Sequence, residues 1–569
     1  MKNRYVFLAL LMMMASLALT IWLLPLLDER SSAVTSTYQK EVFNQKKVST
    51  IDFQVDPSDL KEILDNPLKK EVIPATVIFN GKKIEQVGLR TKGNMTLRSV
   101  AQMQDSDRYS FKVDFDYYKD GQNLFGLKKL ALNNGFSDST QMKEFLSYEL
   151  METMGVPTPE HSYMYVTING KEWGLYLGVE AIDETFLANN YDNYSGDLYK
   201  PDGVGSDLKW ISNDISDYTG LDLKTNKKTS KQKAMIHFLD TINHGGHLEK
   251  VMDVDEMLRY FAANTALVNL DHYQGSMKHN YYLYENNGKF SILPWDYNMA
   301  FGGFSGGAQP ANNQQSGQGM DNKQSKEPNN SQQGNGMAGG MGNMMSESNI
   351  NFSISEPVSG TTIEDRPLLD ALLTNKEYKK TYNGYLKEIA NHFFKESNMK
   401  KRVAEISALI LPYVVKDPTK FTTTDQFKEG VSGDNSIAAF SSKRAESILK
   451  QLSGELVVKA ETNQNGMENG EGMNPPQQGM NMGGEPPGFS QGKMEGKPPE
   501  NKEGEQPLSP PDGQAMGFPG GDREQDQEGP PNGDQKEGFS LGTWITLAVS
   551  LLVLLAGIIF ALTFKRRRI

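Results

Sequence analysis

Residues 269–304 read NLDHYQGSMKHNYYLYENNGKFSILPWDYNMAFGGF. They predict an acidic loop, then a β-hairpin folded at Asn287-Gly288, then a second acidic turn that ends in glycine. Because a hairpin brings its outer ends together, we expect Asp271 before the first strand, Asn280 at its start and Asp296 after the second strand to converge. Two aspartates and an asparagine at one point are the residue types that phosphoryl transfer from a magnesium-bound nucleotide requires.

The residues before this hairpin supply further groups of a phosphoryl-transfer site in a particular order. The candidates are Arg90 and Lys92 in the glycine turn RTKGN (90–94), Lys112 in the strand SFKVDF (110–115), Glu144 and Glu149 on a helix, and Glu180 at the end of a hairpin. Protein kinases follow the order of glycine-rich loop, strand lysine, helix glutamate, catalytic loop and metal-binding aspartate. The literal kinase motifs GxGxxG, HRD and DFG are absent, so the match is one of order and residue type.

Two of these assignments have alternatives. Lys112 is the first choice for the lysine that holds the α- and β-phosphates, and Lys92 is its rival because it lies in the glycine turn. Glu144 or Glu149 is expected to pair with that lysine. Lys112, as a charged residue on an alternating strand, is as often exposed to solvent as functional, and the same alternative applies to Arg90.

Local sequence patterns predict an α+β fold. Strands are predicted over 71–79, 84–90, 109–115, 163–168 and 173–180, and helices over 56–65, 140–154, 231–243, 255–270, 366–394, 400–414 and 435–452. Strands therefore dominate the first part of the domain and helices the last, unlike a regular βαβ alternation.

Composition divides the rest of the chain. Residues 34–460 are expected to be globular, except for 305–349, a Gly-, Asn-, Gln- and Met-rich stretch that cannot bury enough apolar area to fold. Residues 461–540 have a similar composition with more Pro and Glu, and we interpret them as a disordered linker.

The two ends of the chain are predicted to cross a membrane. Residues 1–30 contain a long uncharged run that predicts a signal-anchor, with a cleaved signal peptide as the alternative. Residues 541–564 predict a second transmembrane helix, followed by the basic tail 565–569. Both basic flanks favour a two-pass protein of the cell membrane with cytoplasmic termini and an extracytoplasmic main domain.

Composition also excludes several function classes. The 569 residues carry a net charge of −12, which argues against a nucleic-acid-binding surface. The absence of cysteine excludes disulfides, cysteine-based zinc sites and a thiol nucleophile. The seven histidines show no HExxH spacing, so no zinc site is expected.

Several stretches together resemble the CotH family of spore-coat and secreted atypical kinases. They are GLRTKGNMT (88–96), the long pattern from DSTQMKEF through NGKEWGLYLGVEAID (138–183), GDLYK (196–200), NLDHYQGSMKHNYYLY (269–284) and ILPWDYNMAFGG (292–303). The resemblance implies a kinase-like fold that binds ATP with Mg²⁺ or Mn²⁺ and phosphorylates Ser or Thr of coat or cell-surface proteins.

The resemblance also implies a role for each residue of the hairpin. Asp271 resembles the catalytic-loop aspartate, which orients the acceptor hydroxyl and takes its proton. Asn280 and Asp296 resemble the metal-binding pair. The family pattern has a second acid where this chain has Asn298, so the resemblance does not imply a fully occupied second metal site.

Two other functions compete with an active kinase. The domain could be a surface adhesin or binding module, because ATP is scarce outside a cell. It could also be a scaffold pseudokinase in a coat or envelope layer, which binds nucleotide without transferring phosphate.

Overall fold

The strand-rich part of the chain closes into a seven-stranded barrel. The computed structural model describes residues 37–304 and 344–458. The predicted anchor 1–30, linker 461–540, helix 541–564 and tail 565–569 all lie outside the described residues. Within the part that is described, no helix combines the length and the apolar character needed to span a bilayer.

The barrel is built from strands β1–β7 and carries three helices. Their bounds are β1 Ser49–Val55, α1 Pro57–Asp65, β2 Ile73–Phe79, β3 Lys82–Lys92, α2 Met95–Ala101, β4 Ser110–Asp114, β5 Lys129–Asn133, α3 Lys143–Thr153, β6 His161–Ile168 and β7 Lys171–Glu180. The strand order is β1-β2-β3-β4-β5-β7-β6, closed by parallel pairing of β1 with β6, and the other pairs are antiparallel.

Turn chemistry explains the hairpins of the barrel. Asn80-Gly81 connects β2 to β3, and Asn169-Gly170 connects β6 to β7. All four residues adopt positive φ angles, as a two-residue turn that matches the strand twist requires. Alternate residues of β1 are buried, so the strand lays one face on the barrel interior.

The register of the barrel places the predicted basic residues on one face. Arg90 of β3 lies opposite Lys112 of β4, and Lys92 lies opposite Ser110. Leu89 and Phe111, which belong to the interior cluster, alternate with them. The three basic residues therefore lie on the outer face of the barrel, because successive side chains of a strand point to opposite sides.

The second part of the domain is mainly helical. A small sheet of order β11-β10-β8-β9 contains β8 Leu198–Pro201, β9 Leu221–Leu223, β10 Tyr281–Asn286 and β11 Lys289–Pro294. The helices are α4 Glu184–Asn190, α5 Lys233–His244, α6 Val254–Leu267, α7 Glu347–Ile350, α8 Pro367–Thr374, α9 Lys376–Asn391, α10 Glu396–Lys416, α11 Thr424–Ser432 and α12 Ile437–Ser453. The α+β prediction, with strands first and helices last, is confirmed.

Two predicted boundaries differ from the structure. The helix predicted over 366–394 is two helices, because Asn375 between α8 and α9 has an extended backbone and its side chain caps α9. The insertion predicted over 305–349 ends too late, because Ser346 caps α7 and Asn349 is buried.

A buried ion pair joins the barrel to the helical part. Arg108 lies before β4 and Asp417 follows α10, and their closest side-chain atoms are 2.9 Å apart. Both side chains are at most 2% exposed. The carboxylate of Asp417 also accepts a hydrogen bond from the backbone N–H of Leu175 in β7, at 2.8 Å. These contacts fix the end of α10 against the barrel, since breaking a buried pair leaves an uncompensated charge.

Candidate active site

Asp271 and Asn280 are in direct contact at the open end of the β10–β11 hairpin. The Asn280 side-chain amide donates to the Asp271 backbone oxygen at 2.9 Å and to its Oδ2 at 3.2 Å. The other carboxylate oxygen, Oδ1, lies 2.7 Å from Nε2 of His279. Both oxygens of a nearly buried aspartate are thus held in fixed directions.

Unusual backbone angles shape this loop. Lys278, Asn280, Asp296 and Phe301 all have φ between 56° and 59°. Side chains other than glycine adopt this left-handed region rarely, and such residues concentrate at functional sites. Here the two left-handed residues on either side of His279 direct it to Asp271.

The charge of Asp296 also acts on His279. Burial alone lowers the pKa of His279, but the charge and hydrogen bond of Asp271 outweigh it, so the pKa is raised. The charges of Asp202 and Asp296 act in the same direction. Asp296 also adjoins α3, because its backbone N–H donates to the Tyr148 hydroxyl at 3.2 Å.

Glu144 of α3 lies between the barrel and the hairpin. Its carboxylate accepts hydrogen bonds from the Asn133 side-chain amide at 2.8 and 3.0 Å, and from the Tyr148 hydroxyl at 3.0 Å. Asn133 in turn accepts a hydrogen bond of 2.6 Å from the Lys92 ammonium group. That ammonium group also lies over the ring of Trp295, 5.4 Å from its centroid.

The surroundings of Glu144 raise its pKa to about 7. Burial is the largest cause, and repulsion by the charge of Asp296 adds to it. Lys92 and the hydrogen bonds from Asn133 and Tyr148 act in the opposite direction. A carboxyl group that titrates near neutrality beside a second acid is typical of a functional site.

The structure distinguishes the two rival lysines and the two rival glutamates. Lys92 reaches Glu144 through Asn133. Lys112 lies opposite Arg90, whose guanidinium donates to the Thr91 carbonyl at 2.9 Å. The other helix glutamate, Glu149, pairs with Arg402 of α10. Glu144 is therefore the glutamate that α3 directs toward Lys92, the rival of the first-choice Lys112.

Glu180 lies in a different network. It ends β7, is buried, and accepts hydrogen bonds from the Tyr38 hydroxyl and from the backbone N–H of Glu160. Burial raises its pKa well above the ordinary value. Asn189 of α4 donates to the same Tyr38 hydroxyl. Glu180 thus anchors the segment before β1, in contrast to its predicted place among the cofactor-binding residues.

The donor set at the hairpin suits a magnesium-bound nucleotide. Among residues 37–304 and 344–458, no three His, Asp or Glu side chains group as a metal site. Mg²⁺ at nucleotide sites is held by one or two protein ligands plus phosphate oxygens and water. The amide nitrogen of Asn280 donates to Asp271. Its side-chain oxygen accepts no hydrogen bond from a described residue and is an acceptor suited to a cation. Asn280 and Asp296 therefore have the side-chain chemistry of cation ligands.

Asn133, Tyr148 and His279 were not predicted from the sequence as residues of the site. Tyr148 lies one helical turn after Glu144, and that spacing was a usable signal. His279 directly precedes Asn280, but it was considered only as a zinc ligand. Asn133 had no local signal, because its strand β5 was not predicted.

Comparison with known proteins identifies the family of this chain. A family model described as CotH kinase protein matches residues 89–448. The chain belongs to the CotH family. All of the candidate residues from Arg90 to Asp296 lie inside the matched range, so the resemblance inferred from the sequence is confirmed.

Two curated relatives come from Bacillus subtilis (strain 168). The chain is similar to its inner spore coat protein H, with 26% identity over 270 residues that cover 46% of this chain and 70% of that protein. It is also similar to an inner spore coat protein H-like protein, with 28% identity over 109 residues, or 18% of this chain and 34% of that one. The region similar to this CotH protein thus covers 70% of the first relative and 34% of the second.

Proposed function

We propose that this CotH protein is an atypical protein kinase that transfers the γ-phosphate of ATP to Ser or Thr. The observation that carries the proposal is the pair of networks around the hairpin. One network holds Asp271 through His279 and Asn280, and the other connects Lys92 to Asp296 through Glu144. The two networks supply a base, metal ligands and a phosphate-binding cation within one region.

Each residue has a defined task in the proposed reaction. Asp271 orients the acceptor hydroxyl and takes its proton, and the hydrogen bonds at both of its oxygens hold the carboxylate in one direction. Lys92 binds the α- and β-phosphates, and Lys112 and Arg90 on the same barrel face add positive charge. Asn280 and Asp296 hold Mg²⁺ or Mn²⁺. When bound, the cation neutralises charge on the transferred phosphoryl group.

The protein substrates and the location are further parts of the proposal. We propose coat or cell-surface proteins as the phosphate acceptors, because two relatives bear the name of an inner spore coat protein. The apolar ends of the sequence support a two-pass anchor in the cell membrane, with both termini cytoplasmic and the main domain outside. The net charge of −12 favours protein over nucleic acid as partner.

Incubation of the purified protein with labelled ATP tests the activity. Mg²⁺ or Mn²⁺ and either casein or the protein itself as acceptor should yield acid-stable phosphoserine or phosphothreonine. The same reaction with Asp271→Asn should yield none. Equal labelling of the two proteins would refute the role of Asp271.

A scaffold pseudokinase is the second candidate function. It is favoured by Asn298, which stands two residues after Asp296 and supplies an amide in place of a second carboxylate. This candidate predicts stabilisation by ATP and Mg²⁺ in a thermal-shift measurement without phosphate transfer. A surface adhesin predicts neither nucleotide-dependent stabilisation nor transfer.

A further inference from the structure

Two hydrogen-bond arms meet at the carboxylate of Glu144. In one arm Lys92 donates to the Asn133 oxygen, and the Asn133 nitrogen donates to both oxygens of Glu144. In the other arm the Asp296 N–H donates to the Tyr148 hydroxyl, which donates to Oε1 of Glu144. When Glu144 is ionised it only accepts, so both arms then donate toward it.

The Lys92 arm differs from a direct lysine–glutamate pair. Asn133 stands between the two charges, and its amide is suited to the place because one end accepts while the other donates. Asn133 is 8% exposed and Lys92 6% exposed, so water competes little for these bonds. Asn133 thereby sets the direction in which the Lys92 ammonium group points.

The Tyr148 arm acts on the backbone of the proposed metal ligand. Asp296 has φ of 58°, a conformation that persists only where its surroundings impose it. Tyr148 is fully buried and its ring packs against Tyr297, 5.6 Å between centroids. The hydroxyl therefore fixes the peptide that orients the Asp296 carboxylate.

We infer that Asn133 and Tyr148 are positioning residues with separate effects: Asn133 acts on nucleotide binding through Lys92, and Tyr148 acts on metal binding through Asp296. The inference rests on the proposed kinase function. Asn133 contacts Lys92 and Tyr148 contacts Asp296, so each is inferred to act through that neighbour. Hydrogen bonding of a buried carboxylate does not by itself require that its donors also contact Lys92 and Asp296.

The test compares Asn133→Leu with Tyr148→Phe in the full-length protein. Phosphate transfer is measured while ATP is varied at saturating Mg²⁺, and while Mg²⁺ is varied at saturating ATP. Asn133→Leu should raise the KM for ATP about tenfold with little change in the Mg²⁺ requirement. Tyr148→Phe should raise the half-saturating Mg²⁺ concentration about tenfold and lower kcat, with a smaller change in the KM for ATP.

Two matched variants control for loss of stability. Tyr163→Phe removes another buried hydroxyl, which donates to the Gln141 carbonyl at 2.7 Å. Asn134→Leu removes the neighbouring buried amide, which donates to the Arg108 carbonyl at 2.6 Å. Both should lower the melting temperature without separating the two ligand dependences.

The outcomes distinguish this inference from the proposed function. If Asn133→Leu and Tyr148→Phe alter both ligand dependences equally, or match their controls, the positioning roles are refuted. If the unsubstituted protein neither binds nor uses ATP and Mg²⁺, it is the kinase proposal that fails. A split in the opposite sense, with Tyr148→Phe acting on ATP alone, would also overturn the assignment of the arms.

Discussion

Glu144 and Glu180 are two buried glutamates of the same domain, and burial is the largest cause of a raised pKa at both. Their neighbours differ. Glu144 has Lys92 and Asp296 within electrostatic reach, and both are groups that a metal nucleotide would use. Glu180 has Tyr38 and the Glu160 N–H, which tie a preceding segment to the barrel. The comparison teaches that a perturbed pKa marks a site only when its neighbours can bind a ligand.

Within the Glu144 region, the largest expected effect comes from removal of the Asp296 carboxylate. Asp296→Ala should reduce phosphate transfer about a thousandfold, because it removes a ligand of the cation that neutralises the transferred group. Phosphate transfer at several Mn²⁺ and Mg²⁺ concentrations checks this. Binding of ATP without metal should change little. Full activity in Asp296→Ala would remove the Glu144 region as the reaction centre.

The second prediction separates the rival lysines. Lys92→Met should reduce phosphate transfer about a hundredfold, since it removes one preorganised charge from the phosphates and one donor from Asn133. Lys112→Met, on the same barrel face, should have a smaller effect. Steady-state kinetics of the two variants checks the order. A greater loss for Lys112→Met would restore the assignment made from the sequence.

The two lysines also illustrate what the sequence could predict. The hairpin loop with Asp271, Asn280 and Asp296 followed from local turn chemistry, and the structure places Asp271 and Asn280 in contact. Lys112 was preferred because its strand was evident. The link from Lys92 to Glu144 depends on Asn133, which meets α3 only after the strands have paired.

Closure of the barrel could not be predicted from local sequence patterns for the same physical reason. It requires β1 to pair in parallel with β6, and the partners Ile51 and Val166 are far apart in sequence. No turn signal specifies such a pair, because loop closure over that distance leaves many alternatives. The break at Asn375 was missed for another reason: the helical pattern continues across a residue that serves as a cap.

The third prediction concerns stability in the Glu180 region. The raised pKa means that folded Glu180 keeps a proton at pH values where the unfolded chain has lost it. The stability that this group contributes is therefore present below the pKa of Glu180 in the unfolded chain. It is lost by about 1.4 kcal/mol per pH unit as pH rises from that pKa toward the raised pKa of the folded protein. Glu180→Gln cannot titrate, so its free energy of unfolding should fall less steeply with pH.

Urea unfolding over a pH series checks this difference. Parallel stability curves for Glu180→Gln and the unsubstituted protein would show that Glu180 is ionised in the fold. Phosphate transfer by Glu180→Gln at fixed pH should match that of the unsubstituted protein, because Tyr38 and Glu160 are its partners. A selective loss of ATP affinity would instead return Glu180 to the nucleotide site.

The smallest expected effect is the release of a fraction of a proton from the Glu144 region when Mg²⁺ and ATP bind. Burial and the charge of Asp296 raise the pKa of Glu144 to about 7. A cation at Asp296 offsets that repulsion and lowers the pKa, so binding of Mg²⁺ and ATP near neutral pH should release a fraction of a proton. By the same linkage, metal affinity rises as pH increases through about 7. Calorimetric titrations in two buffers of different ionisation enthalpy measure the proton count. Glu144→Gln should release fewer protons than the unsubstituted protein, and an equal count would mean that Glu144 does not sense the cation.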